Sequence, residues 1–311
     1  MRVLVTGADG FVGKWTCLEL LKAGHEVQGG VRKLADLDGL PGEWLERLRA
    51  VRWVECELRS AGSVEAALAG QPGAIVHLAA MASGAEARAN PVAAWDINCL
   101  GTCELLYAME RAGLAARFIL ASTGEVYGRG LRRPATESDP VAPCSPYAAS
   151  KAGAEVATLE FHRRTGGDAI VVRPFAQTGP GQRADFVAPA FARRIRAARE
   201  AGAGQITVGN LEPVREFLDV RDVASALALL LTAGRSGDIY NIAQGSGVAL
   251  VDLFNQLADL LHWHGSPVPD PALFRAADIP MLVGDGSRLA SLGWRARYEL
   301  RKTLSDLIAT L

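Results

Sequence analysis

Short apolar runs and longer stretches of helical character alternate along the first half of the chain. Strands are predicted at 2–6, 25–30, 51–55, 74–79, 116–122 and 168–174, with helices at 11–23, 61–69, 92–112 and 146–165 between them. Strands that alternate with helices in this way predict an α/β fold, a doubly wound parallel sheet covered on both faces. After Arg173-Pro174-Phe175 the pattern loosens. Gly179-Pro180-Gly181-Gln182 reads as a turn, 186–202 as a helix and 263–271 as a proline-rich loop. A main domain over 1–174 and a smaller substrate lobe over 175–311 are expected, with later elements, about 214–243 and including a helix near 221–233, returning to the main domain.

Composition narrows the partner. With 311 residues, 49% of them hydrophobic, and a formal net charge of −1, the chain can bury a large core and shows no nucleic-acid surface, acidic tail or disordered segment. A small molecule is the expected partner. The first strand begins at residue 2, leaving no room for a cleavable signal, and no uncharged apolar run approaches the ~20 residues of a membrane span. Neither nucleic acid nor membrane is expected as a partner, and the expected location is the cytoplasm. The five cysteines, at 17, 56, 99, 103 and 144, lack metal-ligand spacing and read as reduced thiols serving as small core residues. His262 and His264, flanking Trp263, read as helix-end residues, so no metal site is expected.

Two motifs carry chemistry. Val3-Leu4-Val5-Thr6 runs into Gly7, Gly10 and Gly13 and then into a helix. Glycines at that turn allow close backbone approach, and the helix N-terminus offers free N–H groups to a pyrophosphate, so a dinucleotide is the expected ligand. Past the second strand stand Arg32 and Lys33, with no carboxylate to take ribose hydroxyls. Two cations suit a 2′-phosphate, so NADP(H) is expected over NAD(H), which stays possible. The second motif is Tyr147-x-x-x-Lys151, which places a phenol and an ammonium one helical turn apart. A fixed cation is expected to pull the phenol down from about 10 towards the range where general acid/base catalysis works.

Several motifs in order give the chain a family resemblance over nearly its whole length: Thr6-Gly-x-x-Gly-Phe-x-Gly13, Glu57-Leu58, His77-Leu-Ala-Ala80, Asn98, Ser122-Thr-Gly-Glu-Val-Tyr-Gly128, Tyr147 and Lys151. It resembles the extended short-chain dehydrogenase/reductases, the NAD-dependent epimerase/dehydratase family, which have a Rossmann-type domain. More narrowly, Gly179–Gln182, Val208–Asp222, Asp238–Asn241 and 278–285 resemble the GDP-4-keto-6-deoxy-D-mannose reductases. The resemblance implies reduction of the C4 keto group of a nucleotide-linked 4-keto-6-deoxy sugar, giving GDP-D-rhamnose or its C4 epimer. Thr123 would bond the C4 oxygen, Tyr147 would donate the proton, and Lys151 would hold the tyrosine and the nicotinamide ribose.

Cofactor contacts are implied at Gly7, Gly10, Phe11, Val12, Gly13, Arg32, Lys33, Glu57, Leu58, Leu78, Ala79, Ala80, Asn98, Lys151 and Pro174. Substrate contacts are implied at Ser83, Gln177, Asn210, Arg215 and Arg275, and the helices 92–112 and 146–165 imply a homodimer. Glu125 stands where sugar dehydratases of this superfamily carry a catalytic carboxylate. A 4,6-dehydratase, a 4-epimerase with retained cofactor and a non-catalytic NADPH-binding regulator are the alternatives. Ala176-Gln177 replaces the family's usual Asn-His, which bears on the sugar and nucleotide more than on the redox chemistry.

Overall fold

The computed structural model describes residues 1–129, 131–274 and 279–311. Its strands, in chain order, are β1 (Arg2–Thr6), β2 (Glu26–Val31), β3 (Arg52–Glu55), β4 (Ala74–His77), β5 (Arg117–Ala121), β6 (Ala169–Pro174), β7 (Ala176–Thr178), β8 (Gln205–Val208), β9 (Val214–Asp219), β10 (Ile239–Ile242), β11 (Gly247–Ala249), β12 (Ser266–Pro269) and β13 (Met281–Leu282). The main sheet is seven-stranded and parallel, in the order β10-β6-β5-β4-β1-β2-β3. The order reverses between β1 and β4, and in such sheets the crevice at the carboxyl ends of the strands there is the ligand position.

Both faces of the sheet are buried along β1, β4, β5 and β6, which explains their near-continuous apolar sequence, whereas the edge strand β3 is partly exposed. Val3, Val5 and Val76 face a core closed by the helices Phe11–Lys22 and Val220–Ala233, which contribute Cys17, Leu20, Leu227 and Leu230. Leu4, Ile75 and Phe118 face the opposite core, with Leu105 and Met109 from Gly101–Arg111 and Phe161 from Pro146–Thr165. The last helix has a complete set of end signals. Ser145 accepts from the Ala148 N–H at 3.1 Å, Pro146 occupies the first turn, and Gly166 closes the helix at φ 73°.

Four departures from the expected elements have local causes. The segment expected as one helix over 92–112 contains a π-turn, Asp96–Leu100, between Pro91–Trp95 and Gly101–Arg111. The segment 263–271 is not wholly loop, because β12 pairs in parallel with β8. Its prolines are tolerated because this two-stranded sheet leaves β12 an edge. The return to the main domain begins at Val220, since β9 belongs to a second sheet with β7, β11 and β13. Among the cysteines only Cys17 and Cys56 are core residues, whereas Cys144 is exposed.

The second lobe has its own core of Phe191, Ile195, Phe254, Leu257, Leu304 and Leu307. Asp219, at the end of β9, ties this lobe to the main one. It caps the helix Val220–Ala233 and accepts from Arg221 and, at 2.7 Å, from Thr303 of the helix Leu300–Ile308.

Candidate active site

The glycine turn after β1 is shaped by contact. Gly7 has φ +65°, and a Cβ there would lie 2.9 Å from the Ala79 backbone; a Cβ on Gly13 would meet the Gly7 carbonyl oxygen at 2.1 Å. Gly10 caps the helix Phe11–Lys22 without any side-chain hydrogen bond, and no acidic residue lies in its first turn. The N–H groups around Phe11 and Val12 are therefore available to an anion, a cradle that fits a dinucleotide pyrophosphate. Across the crevice, Thr6 Oγ1 accepts from Leu78 N and Ala79 N at 3.2 and 3.1 Å and pairs with His77 Nδ1 at 2.7 Å. Burial, with the Lys151 charge adding, pushes His77 down to about 3, so a neutral imidazole bridges Thr6 to Thr102. Ala80 follows, half-buried.

Tyr147 and Lys151 lie in the first turns of the helix Pro146–Thr165, beside the end of β5. Lys151 is 3% exposed and donates to the Ala121 carbonyl at 2.7 Å. Burial pushes its ammonium down to about 8, against the pull of Glu155. Thr123, just past β5, caps the short turn Gly124–Tyr127, its hydroxyl accepting from Glu125 N at 3.2 Å. The Tyr147 phenol lies above its ordinary range rather than below it. Burial raises it, the Glu125 charge raises it further, and a hydrogen bond with Thr123 opposes both. The expectation that Lys151 draws the phenol towards neutrality is thus corrected: the ammonium is itself desolvated and bonded to a carbonyl, while the charge that acts on the phenol is an anion.

Beneath these groups lies a buried polar floor that the sequence did not announce. Glu155 and Arg173 pair through two bonds, Nε–Oε1 at 2.9 Å and Nη2–Oε2 at 2.6 Å, and Ser122 also donates to Glu155. Arg173 reaches the Tyr127 hydroxyl at 2.9 Å, which donates to Asn241 Oδ1 at 2.7 Å. Glu155 stands four residues after Lys151, a helical spacing that was readable but not singled out.

Asn98 is a correction of another kind. Its amide is committed to the Met81 backbone at 2.8 and 3.3 Å and to Ser150 Oγ at 2.9 Å, while Ser150 bonds the Tyr147 carbonyl. It is 1% exposed and positions the Tyr147 helix rather than reaching the crevice. It is the π-turn Asp96–Leu100 that carries Asn98. Leu58 is a core residue, Glu57 pairs with Arg59 at 3.3 Å, and Pro174 ends β6. Arg32 and Lys33 are exposed at the tip of β2. A carboxylate does stand there, contrary to expectation, because the turn Leu34–Gly39 folds Asp36 back onto Arg32 at 3.3 Å.

Of the expected substrate residues, Ser83 caps Gly84–Ala89 through Glu86 N at 3.3 Å. Gln177 lies on β7 with its buried Oε1 lacking a hydrogen-bond partner. Asn210 accepts from Glu212 N at 3.0 Å within its own turn. Arg215, on β9, donates to the Val214 and Ile279 carbonyls at 2.9 and 2.6 Å. Arg275 lies outside the described residues.

The comparisons with known proteins agree with this geometry. Residues 4–307 match the model of the family described as GDP-mannose 4,6 dehydratase. The chain is 32% identical to the GDP-6-deoxy-D-mannose reductase of Pseudomonas aeruginosa, over 99% of this chain and 96% of that one. Among solved structures, the UDP-glucose 4-epimerase of Thermus thermophilus, in complex with NAD, superposes with a TM-score of 0.87 at 28% identity, covering 100% and 98% of the two chains. The Pseudomonas aeruginosa protein RMD, complexed with NADPH, superposes with a TM-score of 0.81 at 30% identity, covering 99% and 98%. The cradle after β1, the Thr123–Tyr147–Lys151 grouping and these likenesses place the chain in the GDP-mannose 4,6-dehydratase family, among the nicotinamide-dependent enzymes of the extended short-chain dehydrogenase/reductase type.

Proposed function

We propose that this enzyme reduces the C4 keto group of a nucleotide-linked 4-keto-6-deoxy sugar, with GDP-4-keto-6-deoxy-D-mannose as substrate and GDP-D-rhamnose or its C4 epimer as product. The observation that carries the reading is the 32% identity, over 99% of this chain and 96% of that one, to a protein named GDP-6-deoxy-D-mannose reductase. Support comes from Thr123 beside the Tyr147 phenol, with Lys151 one helical turn further on, so that a proton donor and a hydrogen-bond donor stand together for an oxygen on which negative charge develops.

The glycine turn after β1 would hold a reduced nicotinamide cofactor, which would supply a hydride for the C4 carbon. Tyr147 gives its proton to the C4 oxygen, Thr123 donates a hydrogen bond to the same oxygen as negative charge develops, and Lys151 holds the ribose side of the site and replaces the proton lost. Gln177, with its unpartnered Oε1, takes a sugar or ribose hydroxyl, and Arg215 is the proposed diphosphate contact. Asn210, Ser83 and Arg275 complete the proposed substrate contacts. Arg32 and Lys33 support NADPH as the preferred cofactor, with NADH also accepted. The name of the Pseudomonas aeruginosa reductase, matched over nearly its full length, supports the same reaction.

The specific observation for the second reading is Glu125. Its carboxylate stands near Tyr147 and receives Ser145 Oγ at 3.5 Å, a position from which it would take a C5 proton in a 4,6-dehydratase. Intact Thr123, Tyr147 and Lys151 weigh against a non-catalytic regulator. A homodimer is proposed through the two long helical segments, where Val92, Trp95, Leu100, Tyr107 and Val156 leave 43–75% of their surface exposed.

The test is loss of the reduced-nicotinamide absorbance when the protein receives NADPH and freshly made GDP-4-keto-6-deoxy-D-mannose. Consumption supports the reductase. Absence of consumption, together with conversion of GDP-mannose to its 4-keto-6-deoxy form, overturns it in favour of the dehydratase.

A further inference from the structure

Arg32 and Lys33 form a basic pair in sequence, yet the fold sets the Asp36 carboxylate against Arg32. Asp36 Oδ2 accepts from Arg32 Nε at 3.3 Å and from the Lys33 N–H at 3.2 Å. Asp9, in the glycine turn after β1, is raised by burial and further by the Asp36 charge, while Lys14 and Arg32 oppose the rise. Glu57 is held below its usual range in spite of burial, by Arg59 and also by the Arg32 charge. Asp36 hydrogen-bonds to this guanidinium, while Asp9 and Glu57 feel its charge.

We propose that Asp36 sets how strongly the enzyme discriminates between a cofactor bearing an adenosine 2′-phosphate and one bearing a free 2′-hydroxyl. This rests on reading the tip of β2 as the adenosine-ribose site. Asp36 acts in two ways. It holds the Nε edge of the guanidinium that a phosphate needs for paired bonds, and it places a negative charge against an incoming dianion. The same carboxylate accepts well from a ribose hydroxyl. The Arg32 side chain is 66% exposed, so the pair can open without unpacking the core. The tip is therefore a balanced site in which the arginine favours NADPH and the aspartate restrains that preference.

The experiment measures dissociation constants of NADPH and NADH by nicotinamide fluorescence on the full chain, with no sugar present. Asp36→Asn is the variant of choice, since its side-chain oxygen still caps the Lys33 N–H while the charge is gone. The expected result is a rise of about tenfold in the NADPH-over-NADH affinity ratio, from tighter NADPH binding. Arg32→Ala lowers the same ratio, and the Arg32→Ala/Asp36→Asn pair shows a smaller Asp36 effect than the single variant. If Arg32→Ala lowers the ratio but Asp36→Asn leaves it unchanged or shifts both cofactors equally, Asp36 is a turn-capping residue and the proposal is overturned. If neither variant moves the ratio, the ribose-site reading of this tip falls with it. Neither result depends on which sugar the enzyme reduces.

Discussion

Arg173 and Glu155 meet side by side through two charge-assisted bonds, at 2.9 and 2.6 Å, with only 3% and 5% of their side chains exposed. An ion pair so deeply buried adds little net stability, but losing one member strands the other without water. Glu155→Gln or Arg173→Met should each cost about 3–5 kcal/mol in urea unfolding, and the double variant Glu155→Met/Arg173→Met should recover most of the loss. Equal destabilisation in single and double variants would contradict this account.

Tyr147→Phe keeps the ring and removes only the proton. Turnover should fall by about 100- to 10,000-fold while cofactor affinity is unchanged, as read by stopped-flow reduction and fluorescence titration. Thr123→Val should cost roughly 100-fold in kcat, the scale of one preorganised donor. A Phe variant with most of its rate intact would move the proton donor elsewhere, Glu125 being the group to examine next.

Gly13 admits no side chain. In Gly13→Ala the new carbon would approach the Gly7 oxygen at 2.1 Å and Ala8 Cα at 2.8 Å, so the turn must open. Cofactor affinity should drop about tenfold or more, the scale of 1–3 kcal/mol of overpacking. Unchanged affinity in a fluorescence titration would show that this turn does not hold the cofactor.

Glu216, on β9, is fully buried and accepts from Gly245 N at 3.2 Å, Gly284 N at 2.9 Å and also Gln244 N. Burial pushes it up to about 7 from 4.5, and the three N–H donors limit the rise. The folded chain therefore binds more protons than the unfolded one between these values, and stability should fall as pH rises from 4.5 to 7. Across that window the wild type should lose about 1–3 kcal/mol relative to Glu216→Gln, measured by denaturant midpoints at each end. Parallel pH profiles for the two proteins would refute the assignment.

Of the main sheet's seven strands β10, at an edge of the sheet, was not legible, whereas the other six were, as short strand-like runs alternating with helices. The ends of the helix Pro146–Thr165 were equally plain, since Ser145, Pro146 and Gly166 each act locally. Pairings set by turns and by distant strands were not. Asp36 lies only four residues beyond Arg32, yet its place opposite the guanidinium depends on a turn whose shape no periodicity announces. The prolines of β12 argued for a loop, and a partner strand some sixty positions earlier overruled them. The Tyr147 shift was misjudged because sequence spacing shows which charges are near in a helix but not how much water they have lost or what lies across the crevice.

The path of the chain between the main sheet and the second lobe ties the two together at several points. It leaves the main sheet after β6, returns at Val220, leaves again between β10 and β11, comes back at Leu289 and Trp294, and finishes in the lobe. With several connections crossing the boundary, and Asp219 bonded on both sides of it, cutting any one connection leaves the two parts still joined by the others.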